Sequence, residues 1–592
     1  MTVDDLVAGH DSPPAASLAS GTTLADSTRG CRVFLRRHWA VLVPAFVYIY
    51  IFPYLPALRS PNELCRLLQS RALIDYHSIE LGKEVQAHGW VGDLSCVAVA
   101  RGRDHRVSNR LPCPQAPNNS QYSERHYYPS KAPLLSFAAA PVYGVLKLLH
   151  GDVSELALMF FARLWCVILP SIFLLVLVRR YLATVTTPDG ADLVTAAYAL
   201  GTLAFSYSEL FVSHQTTAVL AFSCFYILWR VRRGEWSSRG YCLAGLLAGL
   251  TMTAEYTGAL AVVPLAGYGL LTAPGGTRGK LRATALVALG FLPPVLALGA
   301  YHQAAFGHPL VSGYRFLEQV AYQGWHHGGF LGIKLPSGEA FIQSFFSPLR
   351  GLFTISPFML LALPGLFDWR ALRARDPELL LSLATFLVYT CFTSGFTYAA
   401  WGWTTGPRHL TPLVPFLLLP IARCLHPLFA HARADARPVG AWRAAAATGV
   451  ALTLVNLAIL TTSIMTMLNY ISDTFTNALY QVALPFALRG YLPHNLLSLV
   501  GVPNPWAALP AVLAVLACAV ACSVILIRRV APGRRRLLAS GVALGLAAAI
   551  VCLHASVRPS PARIVREQGA VSFMQGAYSP RPGHASPNLF AR

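Results

Sequence analysis

Apolar residues along this chain come in long blocks, without the two-residue alternation of a half-buried strand or the heptads of a coiled coil. The first block runs from Trp39 to about Leu58. Further blocks stand at 157–178, 192–210, 213–229, 240–253, 256–272, 281–302, 351–368, 378–396, 409–425, 443–467, 506–527 and 537–555. Most are roughly 15 to 25 residues long, enough to cross a hydrocarbon core as helix. Lipid offers the backbone no hydrogen bonds, so spans of this kind must be helical. The pattern predicts an all-α polytopic membrane protein with about thirteen transmembrane helices.

Between the first two blocks lies a polar stretch, predicted as one large loop over 59–156. Inside it, Pro133 to His150 is apolar enough to span. Counting it as a span would invert every later loop, so parity assigns it as a juxtamembrane helix lying in the interface.

Charge sets the orientation. The 592 residues are 55% hydrophobic and only 12% charged, yet carry a formal net charge of +21. The excess sits in short connections: Arg179-Arg180, Arg230/Arg232/Arg233, Arg278/Lys280/Arg282, Arg370/Arg373/Arg375, Arg433/Arg437 and Arg528-Arg529 with Arg534–Arg536. That is the positive-inside signature, so topology accounts for the charge and no nucleic-acid partner is expected. The expected layout has a disordered cytoplasmic tail at 1–37, a first transmembrane helix at 38–58, and the extracytoplasmic loop 59–156. A core of spans follows at 157–430, then C-terminal helices at 431–555 with an external loop at about 468–505, and a short external tail at 556–592. The setting is an integral membrane protein of a bacterial inner membrane, with the lipid bilayer as a constant partner.

Polar chemistry concentrates in the first loop. Glu63 follows Ser60-Pro61-Asn62 just past the membrane edge. A partly desolvated carboxylate there suits a general base, and equally suits a helix N-terminal carboxylate after Pro61. Asp93 is the other acid of interest in this loop. Lys131, in Tyr127-Tyr128-Pro129-Ser130-Lys131-Ala132-Pro133, either pairs with a phosphate or snorkels to headgroups. Arg408, in Gly406-Pro407-Arg408-His409, lies on the side expected to be poor in Arg and reads as an anion contact. Glu255, in a tight external turn, is a weaker candidate. The pair His326-His327 lacks the spacing of a metal site, so no metal ligands are assigned, although a divalent metal stays open. No P-loop, GxGxxG or GxSxG motif is present, and nucleotide-driven chemistry is unsupported. In the oxidising outer compartment Cys96 and Cys113 are expected to form a disulfide.

An acid directly after span one, a long first loop, a Tyr-x-x-Lys-x-Pro-Leu element, an interfacial helix ending in Gly and then Arg163 together resemble the GT-C membrane glycosyltransferases. The nearest look is to the aminoarabinose-lipid A transferase and protein mannosyltransferase (family 39-like) branch. Ala305-Phe306-Gly307-His308-Pro309-Leu310, Gly351-Leu352-Phe353 to Ser356-Pro357-Phe358, and Gly406-Pro407-Arg408-His409 fit the same group, over roughly 35 to 430. The resemblance implies inverting transfer of a sugar from a polyprenyl-phosphate donor to an extracytoplasmic acceptor. It carries Glu63 onto the first-loop acid, Lys131 onto the Lys before Pro and Arg408 onto the late basic residue; beside these, Arg66, Tyr128 and Glu255 are taken from the residues themselves as substrate-binding candidates. Asn62-Glu63 stands where many members have Asp-Glu, so the base is open between Glu63 and Asp93. The rival readings are a lipid-linked oligosaccharide flippase or other transporter, which needs ionisable groups at mid-membrane, and an O-antigen ligase or polymerase.

Overall fold

The computed structural model describes residues 24–52, 60–101, 107–117, 122, 124–320, 323–324, 332–396, 402–430 and 440–577. Each predicted block carries helix in its described residues, and seven helices are long and apolar enough to cross a membrane. These seven are Glu155–Leu182, Gly276–Phe306, Pro377–Gly395, Arg408–Ala430, Ala441–Leu468, Trp506–Ile527 and Arg534–Ser556. The other predicted spans are shorter, broken or less apolar helices.

The helix starts are written in the sequence. Pro61 and Pro188 open α2 (Pro61–Asp75) and Pro188–Gly201, where a missing N–H costs nothing. Ser154 caps Glu155–Leu182 by accepting from the Ala157 N–H at 3.1 Å. For convenience α1 is Leu24–Tyr50, α3 is Gly82–His88, α4 is Leu134–His150 and α5 is Glu155–Leu182. The predicted interfacial helix corresponds to α4. One face buries Leu135, Ala139, Tyr143 and Leu146, while Val145, Leu148 and Leu149 are exposed.

Later helices that matter here are α6 (Ser213–Arg232), α7 (Arg239–Ala254), α8 (Gly276–Phe306), α9 (Arg408–Ala430) and α10 (Pro561–Ala577). α7 and α8 pack along a seam of glycine. A Cβ on Gly245 would run into the Val287 carbonyl, and one on Gly290 into the Cys242 carbonyl.

The all-α expectation misses a small sheet in the first loop. Strand β1 (Leu94–Arg101) lies between β2 (Val107–Pro112) and β3 (Glu124–Pro129), antiparallel to both. Seven consecutive residues of β1 are buried, so the strand reads as a continuous apolar run and not as alternation. The sheet edge carries a chain of charges. Arg101 donates twice to Glu124 at 2.7 Å, and His126 sits 2.9 Å from Glu124 and 3.2 Å from Glu80. Cys96 and Cys113 are joined by a disulfide, with Cα atoms 5.4 Å apart, which ties β1 to the end of β2.

Two ends of the bundle differ in character. At one end the Arg-rich connections are ion-paired: Arg179 with Asp192, Arg232 with Glu378, Arg423 with Asp376 and Arg529 with Asp189. At the other end the first loop lies across the helix termini. Gln69 of α2 donates to Tyr301 Oη of α8 at 3.0 Å, and Ser95 of β1 donates to the Gly313 carbonyl at 2.8 Å. The segment 556–592, expected as an external tail, carries α10, whose Glu567 is held by Thr476 and Gln481.

Candidate functional site

Three positions near the start of α2 show how the loop is fastened. Glu63 is fully buried, and its carboxylate accepts from Arg163 Nε and Nη2 of α5 at 2.9 and 3.0 Å and from the Phe211 N–H at 2.6 Å. The guanidinium and carboxylate lie in the fork geometry that makes such pairs strong. One turn on, Arg66 donates from Nε to Asn62 Oδ1 and from Nη2 to Ser213 Oγ, both at 3.2 Å. Its remaining nitrogen, Nη1, is buried and has no hydrogen-bond partner among the described residues. Ser213, at the first turn of α6, donates its hydroxyl hydrogen bond to Glu255 Oε2. Glu255 follows directly on α7 and is 5% exposed.

A second group gathers around Lys131. Its Nζ lies 3.3 Å from Asp93 Oδ1 and 4.9 Å from the centre of the Tyr314 ring. Asp93 enters β1 with a left-handed backbone, φ 64°, and its carbonyl accepts the Ser130 N–H at 3.0 Å, which sets it opposite Lys131. Gly313 permits this approach, since a Cβ there would press on Ser95 and the Ser130 backbone. Burial works against the Lys131 charge, but Asp93 and Tyr314 more than offset it and hold its pKa above the usual lysine value. The Asp93 side chain keeps 23% of its surface open, against 0% for Glu63.

Arg408 opens α9 through a 3-10 stretch, Arg408–Leu417, and is close enough to Lys131 for the two charges to oppose each other. Tyr314 feels Lys131, Glu255, Asp93 and Arg408, while His214 feels Arg408, Arg66 and Lys131. His214 packs on His409 at 5.1 Å and on Tyr207 at 5.5 Å. Arg408 Nε is buried without a hydrogen-bond partner among the described residues. Three cations thus share one neighbourhood, two of them with an unmet buried N–H. Like charges brought together in low dielectric are costly unless an anion answers them.

The structure brings Asp93, Lys131, Arg408, Arg66 and Glu255 together. It places Glu63 beside them but turned into the protein toward Arg163. Tyr128 packs edge-on to Phe306 at 5.6 Å, and burial lifts its hydroxyl to about 12, which makes it part of an aromatic cluster under the sheet. Among the described residues no cluster of three or more His, Cys, Asp or Glu could hold a metal; His326 and His327 lie outside those residues. Sequence reasoning missed Tyr314 and Ser213 altogether. The only local signal for Tyr314 was its place after Ser312-Gly313, in a loop otherwise unremarked.

Solved structures of GT-C membrane glycosyltransferases resemble this fold at low sequence identity. ArnT from Cupriavidus metallidurans, bound to undecaprenyl phosphate, is 15% identical with a TM-score of 0.45, over 90% of this chain and 78% of that one. The archaeal oligosaccharyltransferase AglB from Archaeoglobus fulgidus, in complex with an inhibitory peptide and a dolichol-phosphate, is 9% identical with a TM-score of 0.46, over 81% and 60%. No protein-family model matches the sequence, and no curated protein does.

Proposed function

We propose that this chain is a membrane glycosyltransferase that moves a sugar from a polyprenyl-phosphate donor to an acceptor presented at the loop-bearing end of the bundle. The observation that carries this reading is the convergence of Lys131, Arg408 and Arg66 on one buried neighbourhood beside the accessible carboxylate of Asp93. Lys131 and Arg408 hold the donor phosphate, and Arg66 contributes its unmet Nη1. Asp93 takes the proton from the acceptor hydroxyl as that oxygen attacks the anomeric carbon. The bond from that carbon to the phosphate oxygen breaks, its electron pair stays on the polyprenyl phosphate, and the anomeric configuration inverts. Acceptor and donor must be held within about 3–3.5 Å of each other for this.

Glu63 is assigned a different task from the one its position after span one predicts. Its oxygens are engaged by Arg163 and the Phe211 N–H, so it fixes α2, and with it Arg66, against α5 and α6. Glu255 orients Arg66 through Ser213. In this reading the loop-bearing end faces the extracytoplasmic side of a bacterial inner membrane, the N-terminus is cytoplasmic, and the chain crosses the membrane about thirteen times. The buried ionisable groups named above gather at the two ends of the bundle, which disfavours a transporter with a mid-membrane site.

The test separates binding from turnover. Membranes containing the protein are supplied with a radiolabelled polyprenyl-phosphate sugar, and a short-chain polyprenyl phosphate reports donor binding. Asp93→Asn should abolish transfer and leave donor binding intact. Arg408→Ala should weaken donor binding. Transfer at the normal rate by Asp93→Asn would remove Asp93 as the base, and failure of the unmodified protein to bind polyprenyl phosphate would sink the whole reading.

A further inference from the structure

Beside the packed pair α7 and α8 lies an apolar cavity that the transfer reaction does not use. It has a volume of about 400 Å³ and sits among α6, α7, α8 and the helix Ala259–Thr272. We propose that it is a binding site for an anionic phospholipid, with one acyl chain in the cavity and the headgroup phosphate on Lys280 at its mouth.

Small residues make the space. Ala244 and Ala248 of α7, Ala283 and Ala288 of α8, and Ala266 and Gly267 of the shorter helix all line it. A Cβ on Gly267 would meet nothing within 4 Å. Ala244, Ala248 and Ala283 are buried, whereas Ala266, Leu270, Thr284 and Ala288 are exposed, so the cavity opens along one side. α8 is long and apolar enough to cross a membrane, which turns that side toward lipid tails. Its walls offer a polar ligand almost nothing to bond, and a methylene chain fits them.

The order of chemistry along α8 selects the kind of lipid. Lys280, Ala283, Thr284, Val287, Ala288 and Phe291 recur at three- and four-residue spacing and so share one face of the helix. The last five line the cavity, and Lys280, half-buried, stands one turn before them. From the helix start this face carries a cation, then a hydroxyl, then apolar surface, over about 16 Å at a rise of 1.5 Å per residue. A phospholipid presents its phosphate, its glycerol esters and its chain in the same order. The Thr284 hydroxyl makes no hydrogen bond among the described residues, while Thr251 and Thr272 return theirs to the carbonyl one turn back. Thr284 is left to donate to an ester carbonyl.

Charge at the mouth asks for an anion. No Asp or Glu occurs between Glu255 and Glu318. Carboxylates on the neighbouring elements are committed, Glu235 to Arg230 and Arg233, and Glu378 to Arg232 and Tyr268. Arg278 and Arg282, both exposed, flank Lys280 in sequence and add to the local positive potential. Positive-inside topology accounts for cations at this end of the bundle, but it does not set one on the cavity face.

The full chain in detergent micelles is titrated with phosphatidylglycerol and with phosphatidylcholine of the same acyl chains, and bound lipid is counted by native mass spectrometry. Phosphatidylglycerol should bind one site about five-fold more tightly, the contribution of one cation near anionic lipid. Lys280→Gln should erase that preference and leave phosphatidylcholine binding as it was. Ala288→Phe fills the cavity from its lipid side and should remove the site for both lipids, with thermal unfolding unchanged. Ala266→Phe repeats the test from the facing wall if the first variant fails to fold. A diazirine on the acyl chain should crosslink within 262–270 and 284–291. Equal affinity for the two lipids, or a preference that survives Lys280→Gln, overturns the proposal and leaves an ordinary annular chain. So does displacement by a short-chain polyprenyl phosphate, which gives the cavity to the donor's tail. A dimer that Ala288→Phe abolishes gives it to a second copy of this chain and overturns the proposal as well.

Discussion

Glu63→Gln separates a structural carboxylate from a catalytic one. The pair Glu63–Arg163 is 0% and 1% exposed at its side chains, with N···O distances of 2.9 and 3.0 Å. Unit charges about 4 Å apart attract by about 4 kcal/mol at an effective dielectric of about 20. Breaking one side of a buried pair costs about 3–5 kcal/mol, because the survivor loses its charge complement in a low dielectric. The amide still offers an oxygen to the Phe211 N–H, so that hydrogen bond survives and the loss belongs to Arg163. Glu63→Gln should therefore destabilise the protein by about 3 kcal/mol, and hydrogen exchange should localise the loosening to α2. Arg163→Met combined with Glu63→Gln should cost less than the sum of the two single changes, a coupling visible in a double-mutant cycle. The assay is thermal unfolding in detergent micelles, with transfer measured on the same preparations. An unchanged unfolding temperature together with abolished transfer would refute this reasoning and make Glu63 the proton acceptor.

Lys131→Met and Arg408→Ala should each weaken polyprenyl-phosphate binding by about 2 kcal/mol, roughly thirty-fold, as loss of a charge-assisted hydrogen bond does; isothermal titration with a short-chain analogue reads this, and an unchanged affinity in both denies them the phosphate. Cys96→Ser opens a tie across a sequence separation of 17 and should cost the loop about 3 kcal/mol, detected as earlier thermal exposure of the sheet. The hydrogen bond to Glu80, reinforced by Glu124, raises the His126 pKa above 6.5. Its contribution to stability is therefore complete below pH 6.5 and disappears as pH rises through the raised value. The hydrogen bond from Arg101 holds Glu124 at about 2 against a usual 4.5, so its contribution is present above pH 4.5 and lost as pH falls toward 2. Amide exchange of β3 should become faster on the alkaline side, and His126→Gln should remove that dependence.

The helices and the cationic half of the site were legible because lipid leaves so few choices. Long apolar blocks must be helices, and Lys131 and Arg408 stand out where charge is scarce. The sheet was not legible. Leu94–Ala100 is buried on both faces, so it lacks alternation, and it sits in a loop whose polar neighbours drew the attention. The role of Glu63 could not be read locally either. A carboxylate in the first turn after Pro61 has the same sequence whether it meets solvent, substrate or an arginine 100 residues away. Asp93 and Lys131 are likewise distant in sequence, and only the pairing of β1 with β3 brings them face to face.

The glycine seam between α7 and α8 has a mechanical consequence. With the Val287 and Cys242 carbonyls seated where side chains would otherwise stand, the two helices cannot slide or rotate past each other without a backbone collision. They behave as one stiff beam. Glu255 ends one half of that beam, and Tyr301 and His302 lie near the matching end of the other, so these groups move together or stay still together. The Arg66 neighbourhood is thereby backed by a wall that does not give, while α9 begins in a looser 3-10 winding at Arg408.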